Sequence, residues 1–210
     1  MKIWLESTDL ALIEKGARQG VVDGVVTTPS LLAENPKKMV ADLLAAQSGP
    51  VIVDVIADFQ KIKAPSSRII LRLPAAEEAW ETIHHSSTNN IPVMVGAIFT
   101  PTHALLAAKA GATYIAPHLS RMLKTGERPF EQIESIQKII TQYHFPTDVM
   151  VLHPKSIEQV KACAEIGVAG MIIRDDFYRE LIETHELASF HVEQSMDDWK
   201  KSVELFSSTD

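Results

Sequence analysis

The sequence predicts one closed (β/α)8 barrel with an extra C-terminal helix, a single domain over residues 1–210. Three observations predict it. Strand-like and helix-like segments alternate eight times along the chain, the pattern of parallel strands joined by helical crossovers. No Gly-rich phosphate loop follows the first strand, as it would in an open dinucleotide-binding sheet. The chain has 210 residues, close to the lower size limit of the barrel, roughly 200 residues.

Each element follows from local pattern. Lys2–Glu6 reads as the first strand, and Ser7, Thr8 and Asp9 offer N-caps for a helix running to about Gln19. Gly24–Thr28 is β-branched and apolar, a second strand; Pro29 and Ser30 open a helix toward Ala46. Val51–Ala57 is the third strand, and Asp58–Ser67 is a connection with room for only a helical turn or two. Arg68–Pro74 is the fourth strand, an apolar run ended by proline. Ala75–Ser87 is helical, with Trp80 and Ile83 on one face. Pro92–Phe99 is the fifth strand, and Gly111 closes an Ala-rich helix over Thr102–Ala110. Ala112–His118, Asp148–His153 and Gly170–Asp175 are strands six to eight. Helices over Glu127–Tyr143, Ser156–Ile166 (closed by Gly167) and Asp176–Thr184 follow them. A polar tail helix spans about Ser195–Phe206.

Bulk properties narrow the function. The chain is 46% hydrophobic, enough for one core of domain size, and its net charge of −7 implies no basic surface for nucleic acid. No apolar run approaches the ~20 residues of a membrane span. The N-terminal residues lack a secretory apolar stretch, and the single cysteine, Cys163, has no partner for an internal disulfide. A cytoplasmic location is expected.

In this architecture chemistry sits where strands end and loops begin. The polar residues at those ends are Glu6, Thr27, Thr28, Asp54, Arg72, His118, His153 and Asp175. Arg72 is a cation at the end of a buried strand. It either clamps an anionic ligand through its planar fork or is held in a buried ion pair with Glu6 or Asp54. His118 and His153 end neighbouring strands, with carboxylates on the same rim. Such a set suits general acid/base work without a metal; a divalent ion at His118 and His153 is the alternative. Lys155 and Lys124 read as solvated, and His103 lies just after strand five.

Several motifs carry a resemblance. Trp4-Leu5-Glu6-Ser7-Thr8-Asp9 resembles an L-D-T-S/A-D opening, and Gly24-Val25-Val26-Thr27-Thr28-Pro29-Ser30 resembles G-V-T-T-N-P-S. Arg68–Pro74 resembles I-V-V-K-V-P, and Gly111–His118 with Arg121 resembles G-A-x-Y-V-A-P-Y-V-N-R. These are the motifs of the small transaldolases, the branch that includes fructose-6-phosphate aldolase, in the same order over nearly the whole chain. The resemblance implies a transaldolase-type (β/α)8 (TIM) barrel of carbohydrate metabolism with a phosphorylated sugar as ligand and no cofactor. It also implies a ring-type homo-oligomer held through the C-terminal helix.

The departures from that pattern fall on the chemistry. Arg72 stands where the family has its Schiff-base lysine, and a guanidinium stays protonated and does not act as the amine nucleophile. Glu6 stands for the opening aspartate, Thr28 for asparagine, Asp54 for Gln or Glu, Gly96 for threonine, His118 for tyrosine and His153 for serine. Arg121 is retained as the arginine expected to hold phosphate. Two readings stay open: an enzyme that works without the lysine, through Glu6, Asp54, Arg72, His118 and His153 with Thr27, Thr28 and Arg121 on the ligand, or a non-catalytic binder of a sugar phosphate or similar anion.

Overall fold

The computed structural model describes residues 1–32, 35–55, 66–126 and 128–207. Eight parallel strands close into a barrel in sequence order, β8 pairing back onto β1. They are β1 Lys2–Glu6, β2 Gly24–Val26, β3 Val51–Asp54, β4 Ile69–Pro74, β5 Val93–Ile98, β6 Tyr114–Pro117, β7 Asp148–Leu152 and β8 Gly170–Arg174. The helices are α1 Leu10–Arg18, α2 Pro36–Ala46, α3 Trp80–Thr88, α4 Pro101–Lys109, α5 Leu119–Met122, α6 Pro129–Gln142, α7 Ile157–Ile166, α8 Asp175–Leu181 and α9 Glu186–Ser207.

Capping chemistry sets most helix ends. Asp9 accepts a hydrogen bond from the Leu12 amide at 3.1 Å and starts α1. Thr100 and Ser156 do the same for α4 and α7. Gly167 ends α7 in the left-handed region at φ 81°, where a side chain would be strained.

The structure shifts several expected boundaries. The helix expected from Pro29 begins at Pro36, because Asn35 supplies the cap and Pro36 the preset first turn; residues 28–32 form a turn closed by the Thr28 carbonyl. Thr27 and Thr28 lie past the end of β2. Arg68 precedes β4, and its guanidinium donates to the carbonyls of Leu44, Gln47 and Gly49, fastening the end of α2. The helix expected from Ala75 starts as a single 3-10 turn at Glu77–Ala79. Residues 56–65, which include most of the short third connection, lie outside the described residues. The short α5 was not anticipated, and the tail helix starts at Glu186 rather than near Ser195.

The barrel interior is filled by Trp4, Val26, Ile52, Ile70, Met94, Ala116, Met150, Leu152 and Ile172. Large and small residues interdigitate there. A Cβ on Gly24 would lie 3.1 Å from the Trp4 indole nitrogen, and one on Gly170 would lie 2.7 Å from the Met150 methyl. The indole packs edge-on against Tyr114, ring centres 5.0 Å apart. This plug seals the floor of the barrel and leaves the opposite rim to polar groups.

The chain divides into two compact units, Met1–Phe177, which carries the barrel, and Tyr178–Asp210. In the second unit α9 presents Leu187, Phe190, Met196 and Trp199 as exposed apolar side chains. Among the described residues no helix is long and apolar enough to cross a membrane.

Candidate functional site

Side chains alternate along a strand, so residues two beyond an interior residue share its face. This places Glu6 above Trp4, Asp54 above Ile52, Arg72 above Ile70 and Arg174 above Ile172. They meet in a cleft of about 480 Å³ at the strand ends, also lined by Thr28, Ser30, Gly96, His118, Arg121 and His153. The volume lies within the usual range for small-ligand sites.

Arg72 and Asp54 are register neighbours on β4 and β3. The guanidinium grips the carboxylate with two groups: Nε donates to Oδ1, and Nη2 to Oδ2 at 2.8 Å. Their side chains are only 10% and 18% exposed, so neither charge has water to fall back on. The third nitrogen, Nη1, is buried with no hydrogen-bond partner among the described residues. The side-chain stem passes Gly96, where a Cβ would sit 3.5 Å from both Cγ and Cδ of Arg72. Of the two readings of Arg72, the ion pair is the one that is formed, and its partner is Asp54.

Glu6 and His153 form the second pair, with Nε2 and Oε2 3.0 Å apart. Strand alternation aims Leu152 inward and its neighbour outward. His153 escapes this by adopting φ 58°, a left-handed conformation costly for a residue with a side chain and concentrated at functional sites. That turn brings the imidazole back over the rim to Glu6. Ala97, at φ 55°, marks a similar irregularity, in the β5 register break between Val95 and Ile98. Burial pushes the Glu6 pKa upward, but the His153 hydrogen bond and the electrostatic pull of the imidazole, Arg72 and Arg174 outweigh it, and the carboxyl is held below its ordinary value.

His118 stands beside this pair, its ring 5.0 Å from that of His153 and nearly perpendicular. Phe99 stacks on it with centres 6.4 Å apart. Burial, then electrostatic repulsion from the neighbouring His153 and Arg121, pushes its pKa down to about 4 against a weaker pull from Glu6. The imidazole is therefore neutral near pH 7. Arg121, on α5, and Arg174, at the end of β8, are exposed at the cleft, and neither has an ion-pair partner among the described residues. With Arg72 paired to Asp54, these two cations give the mouth its pull on anions.

The structure thus brings Glu6, Asp54, Arg72, His118, His153, Thr28 and Arg121 to one cleft. It does not bring Thr27, whose fully buried hydroxyl donates to the Ile52 carbonyl at 3.0 Å and ties β2 to β3. Asp175 starts α8 and does not line the cleft. Lys155 and His103 are exposed and outside the lining, which contains no lysine among the described residues. Sequence reasoning missed Arg174 because the strand was carried one residue too far, to Asp175; counting two from Ile172 finds it. Among the described residues no group of three or more His, Cys, Asp or Glu side chains is placed to hold a metal ion.

Comparison with known proteins adds relatives to this geometry. The sequence model of one family, Transaldolase/Fructose-6-phosphate aldolase, matches residues 46–208. The chain is 32% identical to a protein of Thermodesulfovibrio yellowstonii described as "Probable transaldolase", over 96% of this chain and 99% of that protein. A protein of Coprothermobacter proteolyticus with the same description is 30% identical, over 96% of this chain and 97% of that one. One from Nitrosopumilus maritimus, again so described, is 28% identical, with 96% of each covered.

Proposed function

Because this chain belongs to the transaldolase/fructose-6-phosphate aldolase family of sugar-phosphate metabolism, we propose that its cleft takes a small phosphorylated sugar and works on it without a Schiff base. The observation that carries this is the Arg72–Asp54 pair. By the family motif, the residue at position 72 is the imine-forming lysine. Here a guanidinium fills the place, and Asp54 occupies two of its three nitrogens. Acid/base work falls to His118 and His153, with Glu6 acting through its hydrogen bond to His153, while Asp54 holds Arg72 and Arg121 binds the phosphate with Thr28 beside it. Neither role calls for a cofactor.

The second reading, a sugar-phosphate-binding protein without catalysis, draws on the same pair, since a closed ion pair whose remaining nitrogen has no partner among the described residues is also how a retired site would look. One experiment separates them. Fructose 6-phosphate is added to the purified protein; binding is followed by thermal stabilisation, and conversion by product analysis. Stabilisation with conversion supports the enzyme, and stabilisation without conversion the binding protein. No stabilisation by fructose 6-phosphate or dihydroxyacetone phosphate would refute both.

The assembly belongs to the same proposal. In α9, Val192, Met196, Trp199 and Val203 are exposed and fall at positions 4, 3 and 4 residues apart, a single apolar stripe. A second copy of this chain suits it, as a ring-type homo-oligomer in the cytoplasm. Trp199→Glu should lower the mass measured by light scattering; an unchanged mass would remove the stripe from the interface.

A further inference from the structure

We infer that Glu6, His153 and His118 form a proton-transfer centre for carbon acids, one that enolises a phosphorylated ketose or aldose and so interconverts the two. The inference rests on the sugar-phosphate reading above and adds the reaction class. It starts from the tautomer of His153. Glu6 is an ionised carboxylate and accepts hydrogen bonds only, so at 3.0 Å the Nε2 of His153 must carry the hydrogen. In the neutral ring the lone pair is then on Nδ1, for which no hydrogen-bond partner exists among the described residues. A buried carboxylate that fixes an imidazole in one tautomer, and steadies the imidazolium that forms, is the arrangement of a general base. The cost of the left-handed His153 backbone goes into placing that base over the rim.

The second group is complementary. His118 is neutral, packed edge-to-face with His153 at 5.0 Å and braced by Phe99. A neutral imidazole presents one N–H that polarises a carbonyl oxygen without the strong acidity of an imidazolium. Base and electrophile therefore stand side by side, as removal of a proton next to a carbonyl requires. In the step, His153 Nδ1 takes the proton from the carbon adjacent to the carbonyl. The C–H pair becomes the C=C bond of an enediolate, and the carbonyl oxygen gains the negative charge, held by the His118 N–H. Return of the proton to the neighbouring carbon, with a proton passing between the two oxygens, gives the isomer. Composition is unchanged and no oxidant or reductant is consumed. Arg121 and Arg174, the cations of the mouth without ion-pair partners among the described residues, hold the anionic end of the substrate.

The test uses the full-length native protein in deuterium oxide with dihydroxyacetone phosphate and fructose 6-phosphate as probes. Proton NMR follows loss of the C–H signals beside the carbonyl and growth of the matching aldose phosphate. A parallel sample is treated with borohydride and its intact mass taken. Expected are deuterium incorporation and aldose formation with no reduced adduct. His153→Gln should slow exchange at least about a hundredfold, the contribution of a positioned general base. His118→Gln should slow it as well, and serves if the first variant fails to fold. Glu6 acts as a positioning residue: Glu6→Gln should lower the exchange rate at saturation while the half-saturating concentration stays within about twofold, and Glu6→Asp should recover part of the rate. Binding of both probes without exchange would overturn the enolisation and leave the sugar-phosphate reading standing. Absence of binding would overturn that reading and this inference with it. Exchange accompanied by a reduced adduct, or exchange unaffected in His153→Gln and His118→Gln, would overturn the assignment of the base.

Discussion

The Arg72–Asp54 pair gives a quantitative prediction through a double-mutant cycle of Arg72→Leu and Asp54→Leu. With side chains 10% and 18% exposed, each single variant strands a charge in a site with little water. Breaking a buried pair from one side costs about 3–5 kcal/mol, against about 0–1 kcal/mol for an exposed pair. In a chain of this size each kcal/mol moves the melting temperature about 2–4 °C, so each single variant should melt roughly 6–20 °C lower. The double variant removes both charges together with Nη1, which has no partner among the described residues. It should lie within about 1 kcal/mol of the native protein or above it, since apolar replacement of such pairs is neutral or stabilising. The assay is reversible thermal or urea unfolding of the four proteins, with the oligomeric state matched. A double variant that loses the sum of the two single losses would refute the reasoning, as would single variants that melt within about 2 °C of native.

Arg121→Ala should weaken phosphate-dependent thermal stabilisation, because a charge-assisted contact is worth roughly 1.5–3 kcal/mol; a phosphate titration that stabilises native and variant alike would take Arg121 out of the site. Acid should destabilise the fold. His118 is held neutral with a pKa lowered from 6.5 to about 4, so between those values the unfolded chain binds the proton and stability falls as pH drops; allowing for screening of a partly exposed ring, the loss is about 1–2 kcal/mol. The lowered Glu6 pKa acts in the same direction at lower pH, its contribution vanishing as the pH falls through the folded value. Melting curves from pH 7 to 4 should show the decline, and His118→Gln should flatten its upper part; a native curve flat from pH 7 to 5 would contradict this. Arg72→Lys should give little or no aldol cleavage of fructose 6-phosphate near neutrality, because Asp54 beside the amine favours its ammonium form. Robust turnover by that single variant would show the rest of the site competent for imine chemistry.

The barrel was legible because each strand is a short apolar run bounded by capping residues or glycine, and such signals are local. The Asp9 cap and the Gly167 stop needed no tertiary information, whereas the Thr100 cap, two residues before the expected helix start, was missed. The start of α2 was misread because Pro29-Ser30 and Asn35-Pro36 both carry helix-opening chemistry, and a turn at residues 28–32 uses the first. Glu6, Asp54 and Arg72 were legible from their places at the strand ends, but the pairing was not. That Arg72 takes Asp54 and Glu6 takes His153 depends on the register of β3 with β4 and on a left-handed backbone at His153. Neither leaves a mark in the sequence, since histidine at positive φ looks like histidine anywhere. Arg174 was hidden by carrying β8 one residue too far, which put its neighbour Asp175, on the opposite face, at the strand end.

The central claim, a family cleft that works without imine chemistry, is tested most directly by borohydride trapping. The native protein is incubated with dihydroxyacetone phosphate or fructose 6-phosphate, reduced, and its intact mass taken. The arginine at position 72 and the absence of lysine from the described lining of the cleft predict an unmodified mass. A stoichiometric reduced adduct, mapped to any lysine, would contradict the account.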